Sequence, residues 1–374
     1  MLIGVPKESL SGERRVALVP NAIPAIAKAG LTVRVESGAG VEAGYTDDAY
    51  KAKGAEVASR DQVLQSEVLL RINGGADLAA CRSGQCVIGF MDPLGEPQRV
   101  AAMATQGLTA LSMEMIPRIT RAQVMDALSS MATIAGYKAV LLGAMELPRM
   151  FPMLMTAAGT ISPARVFVVG VGVAGLQALA TAKRLGAKTE AYDVRPAVKD
   201  QVQSVGAKFV EFDLQTEGAE DKGGYAKEQS EDFLRRQREQ MGEVVARNDV
   251  VITTAAIPGK RSPVLVTEDM VKGMQPGSVI VDLAAERGGN CELTRADERV
   301  VAHGVTIVGP TNLPATVPFH ASQMYAKNIS ALLLHLVKEG VLTFDTEDEI
   351  TAGTLLTQGG AVVHPRVKSL LEGG

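Results

Sequence analysis

Val166-Phe-Val-Val-Gly170-Val-Gly172-Val-Ala-Gly175 is an apolar run that ends in Gly-x-Gly-x-x-Gly. The run reads as a buried strand, and the residues beyond it as a helix. Gly170 permits a tight turn, Gly172 lets backbone approach a pyrophosphate, and Gly175 lets the helix pack close to the sheet. Val173 and Ala174 open that helix, where unpaired N–H groups and the helix dipole favour an anion. A glycine pattern alone is weak evidence. Here a second strand, residues 189–192, follows the helix and is succeeded by Asp193, 18 residues after Gly175. That is close to the ~20 expected for an acid that binds the ribose. Such an acid accepts hydrogen bonds from both ribose hydroxyls and repels a 2′-phosphate, so it favours NAD over NADP. The plainer alternative for Asp193 is a turn residue. Arg195 reads most simply as a surface residue, although with Val194 it lies in the segment assigned to the cofactor.

Further strands alternate with helices on both sides of this unit. Before it come Leu2–Val5, Thr32–Glu36, 68–72, Cys86–Phe90 and 109–113, with helical patterns at 21–29 and Pro97–Thr105. After it come 208–212, 249–253, 278–283 and 306–308, then a helix over 322–338. Strand–helix alternation predicts mostly parallel sheets covered on both faces, hence an α/β fold of two Rossmann-like domains. Residues 121–146 carry apolar positions at helical spacing and read as one long helix joining the domains. Residues 213–224 are polar and glycine-rich and read as a surface insertion or a lid ahead of a helix beginning near Tyr225. In open parallel sheets ligands bind outside the carboxyl ends of the strands. Thr254 and Ala255 follow one such end, and Glu286 and Asn290 another, so all four are candidate cofactor contacts.

Composition narrows the classes. The chain has 374 residues, 46% hydrophobic and 21% charged, with a formal net charge of −4. That accommodates two domains with cores of their own and gives no basic surplus for a nucleic-acid backbone. No uninterrupted run approaches the ~20 apolar residues of a membrane span, so no direct membrane insertion is expected. Three scattered cysteines read as reduced thiols of a cytoplasmic compartment, and no ligand set suggests a metal.

The segment Pro117-Arg118-Ile-Thr-Arg121-Ala-Gln123-Val-Met-Asp126-Ala-Leu-Ser129-Ser130 gathers Arg, Gln, Asp and Ser at a strand-to-helix junction. By composition it is a solvated helix start with Thr120 as N-cap. It strongly resembles the interdomain loop of the NAD(H)-binding component of proton-translocating transhydrogenase. Gly4-Val-Pro-Lys-Glu8, Arg15-Val-Ala-Leu-Val-Pro20, Thr156-Ala-Ala-Gly-Thr-Ile-Ser-Pro-Ala-Arg165, Gly223-Gly-Tyr-Ala-Lys227, Ile257-Pro-Gly-Lys260 and Gly288-Gly-Asn-Cys291 resemble other signatures of that family, in order along nearly the whole chain.

The resemblance implies that Arg118, Asp126 and Ser129 hold the carboxamide and nearby ribose or phosphate of NAD(H). Gln123 then points towards NADP(H) on a partner component, and Tyr225 belongs to a loop that closes over the nucleotide. It further implies a homodimer that docks on an NADP(H)-binding component carried by membrane subunits, at the inner face of the cytoplasmic membrane. The domains implied are 1–128 with 320–374, and 129–319. A chain ending at Gly374 without a membrane segment reads as a separate peripheral subunit. Alanine dehydrogenase is the competing reading, but its pattern needs a Lys and a His on consecutive strands. This chain has Val68-Leu-Leu-Arg71-Ile and Val87-Ile-Gly-Phe90-Met-Asp92 there. A non-catalytic NAD-sensing module is the third reading.

Overall fold

A computed structural model describes residues 1–214, 230–257 and 259–373. The chain divides into two compact units, Met1–Met131 with Pro314–Gly374, and Ala132–Leu313.

In the first unit, eight strands among the described residues form one sheet. Its order is Ala361–Val362, Leu355–Gln358, Thr109–Ser112, Cys86–Phe90, Val68–Asn73, Leu2–Val5, Thr32–Glu36, Glu56–Ala58. The last six in that order pair in parallel with one another, whereas Leu355–Gln358 pairs antiparallel with Thr109–Ser112 and with Ala361–Val362. The chain therefore returns at its end to extend the sheet it began. Thr357 fixes the seam, since its hydroxyl accepts the Ala110 N–H at 3.0 Å and donates to the Leu108 carbonyl at 2.7 Å.

The second unit holds a seven-stranded sheet among the described residues. Its order is Lys208–Phe209, Lys188–Tyr192, Arg165–Val169, Val250–Thr253, Val279–Asp282, Val305–Val308, Arg299–Ala302. Pairing is parallel except for the edge strand Arg299–Ala302. Arg165–Val169 and Val250–Thr253 are neighbours in the middle. The chain moves outward to one side after the first and to the other side after the second. This reversal is the switch point at which an open α/β sheet leaves a crevice for a ligand. Val166, Val168, Val250, Ile252, Val279 and Val281 are buried under one face, and Phe167, Val251 and Ile280 under the other. Burial on both faces explains why these strands read as uninterrupted apolar runs.

Three expectations need correction. Residues 121–146 are not one helix: a 3-10 segment, Thr120–Met125, precedes the α-helix Ala127–Glu146. Asp126 stops the first and starts the second, because its carboxylate accepts the Ser129 N–H at 2.9 Å and the Ser129 hydroxyl at 2.6 Å, as an N-cap does. Thr120 makes no cap; Ile119 takes that position. Second, Ala127–Glu146 is long and apolar enough to cross a membrane, with a mean hydropathy of 1.3 over 18 residues, although no uninterrupted apolar run announces it. In this structure its Ala139 and Val140 are core residues of the second unit. Third, His320 lies not in a loop but in the first turn of helix Pro318–Leu336.

Candidate functional site

In the second unit the strand Arg165–Val169 turns at Gly170 into the helix Val173–Arg184. Gly170 has φ +92°, a left-handed conformation that favours glycine. A Cβ there would also lie 2.7 Å from the Thr254 hydroxyl, which donates to the Gly170 carbonyl at 2.9 Å. A Cβ on Gly175 would fall 2.0 Å from the Gly170 carbonyl oxygen, so the helix can sit this close only without a side chain. Gly172 is the opposite case: it is exposed, and a Cβ would meet nothing within 4 Å. The three glycines thus do different work. Two permit internal contact, and the third leaves open space beside the first turn of the helix. The N–H groups of that turn have no acceptor within the helix, and Val173 is exposed beside them. An open, positively polarised helix start is the geometry a pyrophosphate needs.

A further glycine locks this turn. Gly136, in helix Ala127–Glu146, lies against the backbone of Ala174, and a Cβ there would stand 2.1 Å from the Ala174 carbonyl oxygen. Nothing in the spacing of Gly-x-Gly-x-x-Gly points to it, since its partner is 38 positions away.

Asp193 follows strand Lys188–Tyr192 and is buried. Its carboxylate accepts the Val171 N–H at 2.6 Å and the Arg195 N–H at 2.8 Å. Arg195 is not the surface residue expected. Its side chain is 13% exposed and forks onto Asp193, with Nε to Oδ1 at 2.9 Å and Nη2 to Oδ2 at 2.8 Å. The guanidinium also donates to the Val171 carbonyl at 3.2 Å. The acid, its counter-ion and the glycine turn therefore form one unit, with Val194 half-buried between them.

Two loops follow the next strand ends. Ala255 donates its N–H to Asn290 Oδ1 at 3.0 Å. Asn290 Nδ2 donates to the carbonyls of Ala255 at 2.8 Å and Pro263 at 2.9 Å. Asn290 is wholly buried with each polar atom engaged, so here it ties loop to loop. Thr254 and Ala255 are half-buried, and Glu286 is exposed in the 3-10 turn Ala285–Arg287. Sequence reasoning passed over Asp282, which organises both loops. It ends strand Val279–Asp282, is fully buried, and accepts the Thr253 hydroxyl, the Ala284 N–H, the Asn290 N–H, the Cys291 N–H and the Thr294 hydroxyl. Its signal was a charged residue closing a run of Val and Ile.

In the first unit, Arg118, Gln123, Asp126 and Ser129 share the short stretch from Ile116 into the long helix. Arg118 and Gln123 are exposed, while Ala122 and Met125 are buried beneath them. Asp126 and Ser129 are partly buried and bonded to each other as described above. Tyr225 and most of residues 213–224 lie outside the described residues. The helix expected near Tyr225 is described from Glu231, where Ser230 Oγ caps the Phe233 N–H at 3.2 Å.

Two family models cover the chain: "Alanine dehydrogenase/PNT, N-terminal domain" over residues 4–135, and "Alanine dehydrogenase/PNT, C-terminal domain" over 139–365. Among its relatives, an NAD(P) transhydrogenase subunit alpha of Rhodospirillum rubrum is 48% identical across 98% of both chains. The chain belongs to the alanine dehydrogenase/PNT family, with the NAD(P) transhydrogenase alpha subunits. Solved structures agree with that placement. The transhydrogenase of Sinorhizobium meliloti superposes with a TM-score of 0.87 at 44% identity, over 97% of this chain and 100% of that one. An L-alanine dehydrogenase gives 0.83 at 26% identity, over 100% and 99%.

The alanine dehydrogenase reading meets an obstacle in the first unit. Arg71, at the place of the expected Lys, is wholly buried and turned onto the chain itself, with Nη1 to the Ala76 carbonyl at 2.5 Å and Nη2 to Asp77 at 3.2 Å. Arg15 is likewise occupied by an internal carboxylate, forking onto buried Glu13 at 2.7 and 2.6 Å.

Proposed function

We propose that this alpha subunit binds NAD(H) and exchanges hydride directly with NADP(H) held on a partner component, in a reaction coupled to proton translocation by membrane subunits. The observation that carries this reading is the glycine turn joined to buried Asp193, within a chain whose transhydrogenase relatives match it over nearly its whole length. Asp193 favours NAD(H), because its carboxylate suits ribose hydroxyls and repels a 2′-phosphate.

Each role falls to a named group. Gly170, Gly172 and Gly175 shape the turn, and the N–H groups at Val173 and Ala174 bind the pyrophosphate. Asp193, with Val194 and Arg195, holds the adenosine ribose. For that, Arg195 shares the carboxylate with the sugar or swings aside. Thr254, Ala255 and Glu286 flank the dinucleotide beyond the strand ends, with Asn290 keeping their loops in register. Arg118, Asp126 and Ser129 hold the nicotinamide half, and Gln123 reaches the partner's nucleotide.

Bound NADH supplies the hydride at C4 of its dihydronicotinamide ring. The chain's contribution is placement: near-attack geometry puts reacting atoms at ~3–3.5 Å, and water must be kept out. Amide, hydroxyl and guanidinium groups suffice for that task, and no protein nucleophile is called for. The subunit works as a homodimer, held peripherally at the inner face of the cytoplasmic membrane by its partners.

The test is to mix the chain with its cognate NADP(H)-binding component. NADH-dependent reduction of NADP+ is expected from the mixture and from neither protein alone. A chain that binds NADH but leaves the mixture inactive would be an NAD-sensing module instead.

A further inference from the structure

The 3-10 segment that carries Gln123 is fastened by the C-terminal region of the chain. Asn328 Nδ2 donates to the Val124 carbonyl at 2.8 Å, and Arg121 Nη1 donates to Asp348 Oδ2 at 2.6 Å. Gln123 stands between these two anchored residues. Asp348 is itself held from several directions. Its Oδ1 accepts the N–H groups of Ile350 and Thr351, both at 3.0 Å, which caps helix Glu349–Thr354. The same oxygen faces His335 Nε2 at 2.9 Å. Burial alone would raise its carboxyl, but the Thr351 N–H, His335 and Arg121 outweigh that and hold it well below the usual carboxylate range. The grip on Arg121 is thus a charged one made by an anchored group.

We propose that Asp348 is a positioning residue for the Gln123 turn, acting through Arg121 to set where the Gln123 side chain stands in the complex with the partner. This rests on the reading of Gln123 as the residue that reaches the partner's nucleotide. A 3-10 segment has poorer hydrogen bonds than an α-helix, so its side chains depend on outside contacts for a fixed place. Arg121 is half-exposed, and an exposed ion pair adds little to stability. Its loss should therefore leave the fold intact while letting the turn drift. A drift of about 1 Å can cost on the order of a hundredfold in rate.

The experiment measures NADH affinity of the isolated chain, and kcat and KM in the reconstituted complex, for Arg121→Ala, Arg121→Lys, Asp348→Asn, the Arg121→Ala/Asp348→Asn pair and Gln123→Asn. Asn preserves the helix cap while removing the charge. In Arg121→Ala and Asp348→Asn, kcat should fall by roughly tenfold to a hundredfold. NADH affinity should stay within about twofold of the parent, because the lost contact acts only in the ternary complex. Arg121→Lys should recover most of the rate. The double variant should be no slower than Asp348→Asn, since both residues act along one path. Were Asp348→Asn to fold poorly, the Arg121 variants decide the matter, as they leave the cap untouched. Normal turnover in Arg121→Ala alongside a slow Gln123→Asn would overturn the positioning role alone. Normal turnover in Gln123→Asn would overturn the reading beneath it as well. Additive losses, or weakened NADH binding in Arg121→Ala, would also count against the proposal.

Discussion

The buried carboxylate of Asp282 accepts the backbone N–H of Asn290 at 2.7 Å, and the Asn290 side chain in turn receives the Ala255 N–H at 3.0 Å. One acid at the end of a central strand therefore fixes the loops after two adjacent strands. Asp282→Ala would leave two hydroxyls and three backbone N–H groups without their acceptor. Unsatisfied buried donors cost about 1–3 kcal/mol each. A fall in stability of at least about 3 kcal/mol is expected, with NADH binding weakened at temperatures where the variant stays folded. Thermal unfolding and NADH titration check this. A parental Tm would mean the loops are held by other contacts.

Asp193→Ala should weaken NADH and narrow its margin over NADPH. The residue is buried and forked by Arg195, so the substitution also frees a guanidinium beside the ribose site. Freed of its counter-ion, Arg195 becomes available to a 2′-phosphate, which strengthens the shift towards NADPH. Equilibrium dialysis with both nucleotides measures it. Equal affinities in the parent chain would remove Asp193 as the specificity determinant.

Gly136→Ala places a methyl 2.1 Å from the Ala174 carbonyl oxygen, at the helix start proposed for the pyrophosphate. Overpacking of this kind costs about 1–3 kcal/mol. If the helix yields instead, the first turn of Val173–Arg184 moves, and NADH affinity should drop by on the order of tenfold, about 1.4 kcal/mol. Unchanged Tm together with unchanged affinity would show that the close approach carries no constraint.

The chain should not oxidise L-alanine. Arg71 is bonded within the protein, and Asp92 stands where the related pattern has His, with its backbone at φ +49° and its N–H on Glu114 at 2.7 Å. Absorbance at 340 nm with L-alanine and NAD+ is the assay. Sustained NADH formation would reverse the choice between the two activities.

What the sequence disclosed follows from what is local. The run from Val166 to Gly175 carries strand, turn and helix within a few residues, and its parallel neighbours announce themselves as apolar runs because both faces are buried. Asp126 was harder: apolar spacing passes through Val124 and Met125 into the helix, and the break lies in a capping bond that periodicity does not register. The pairing of Leu355–Gln358 with Thr109–Ser112 joins segments some 250 positions apart, with no pattern in either that names the other. Arg195 was misread for a related reason. Its spacing from Asp193 suits a surface turn, and only the folded backbone turns its guanidinium inward. Arg118, Gln123, Asp126 and Ser129 drew attention through a resemblance, since their composition alone describes an ordinary helix start.

The central claim is direct hydride transfer from NADH on this chain to NADP+ on its partner. NADH carrying deuterium at the transferred C4 position, incubated in ordinary water with the reconstituted complex, tests it most directly. The account predicts that deuterium appears at C4 of the NADPH formed, with none lost to water. NADPH formed without the label, or no NADPH from a complex in which both nucleotides are bound, would contradict it.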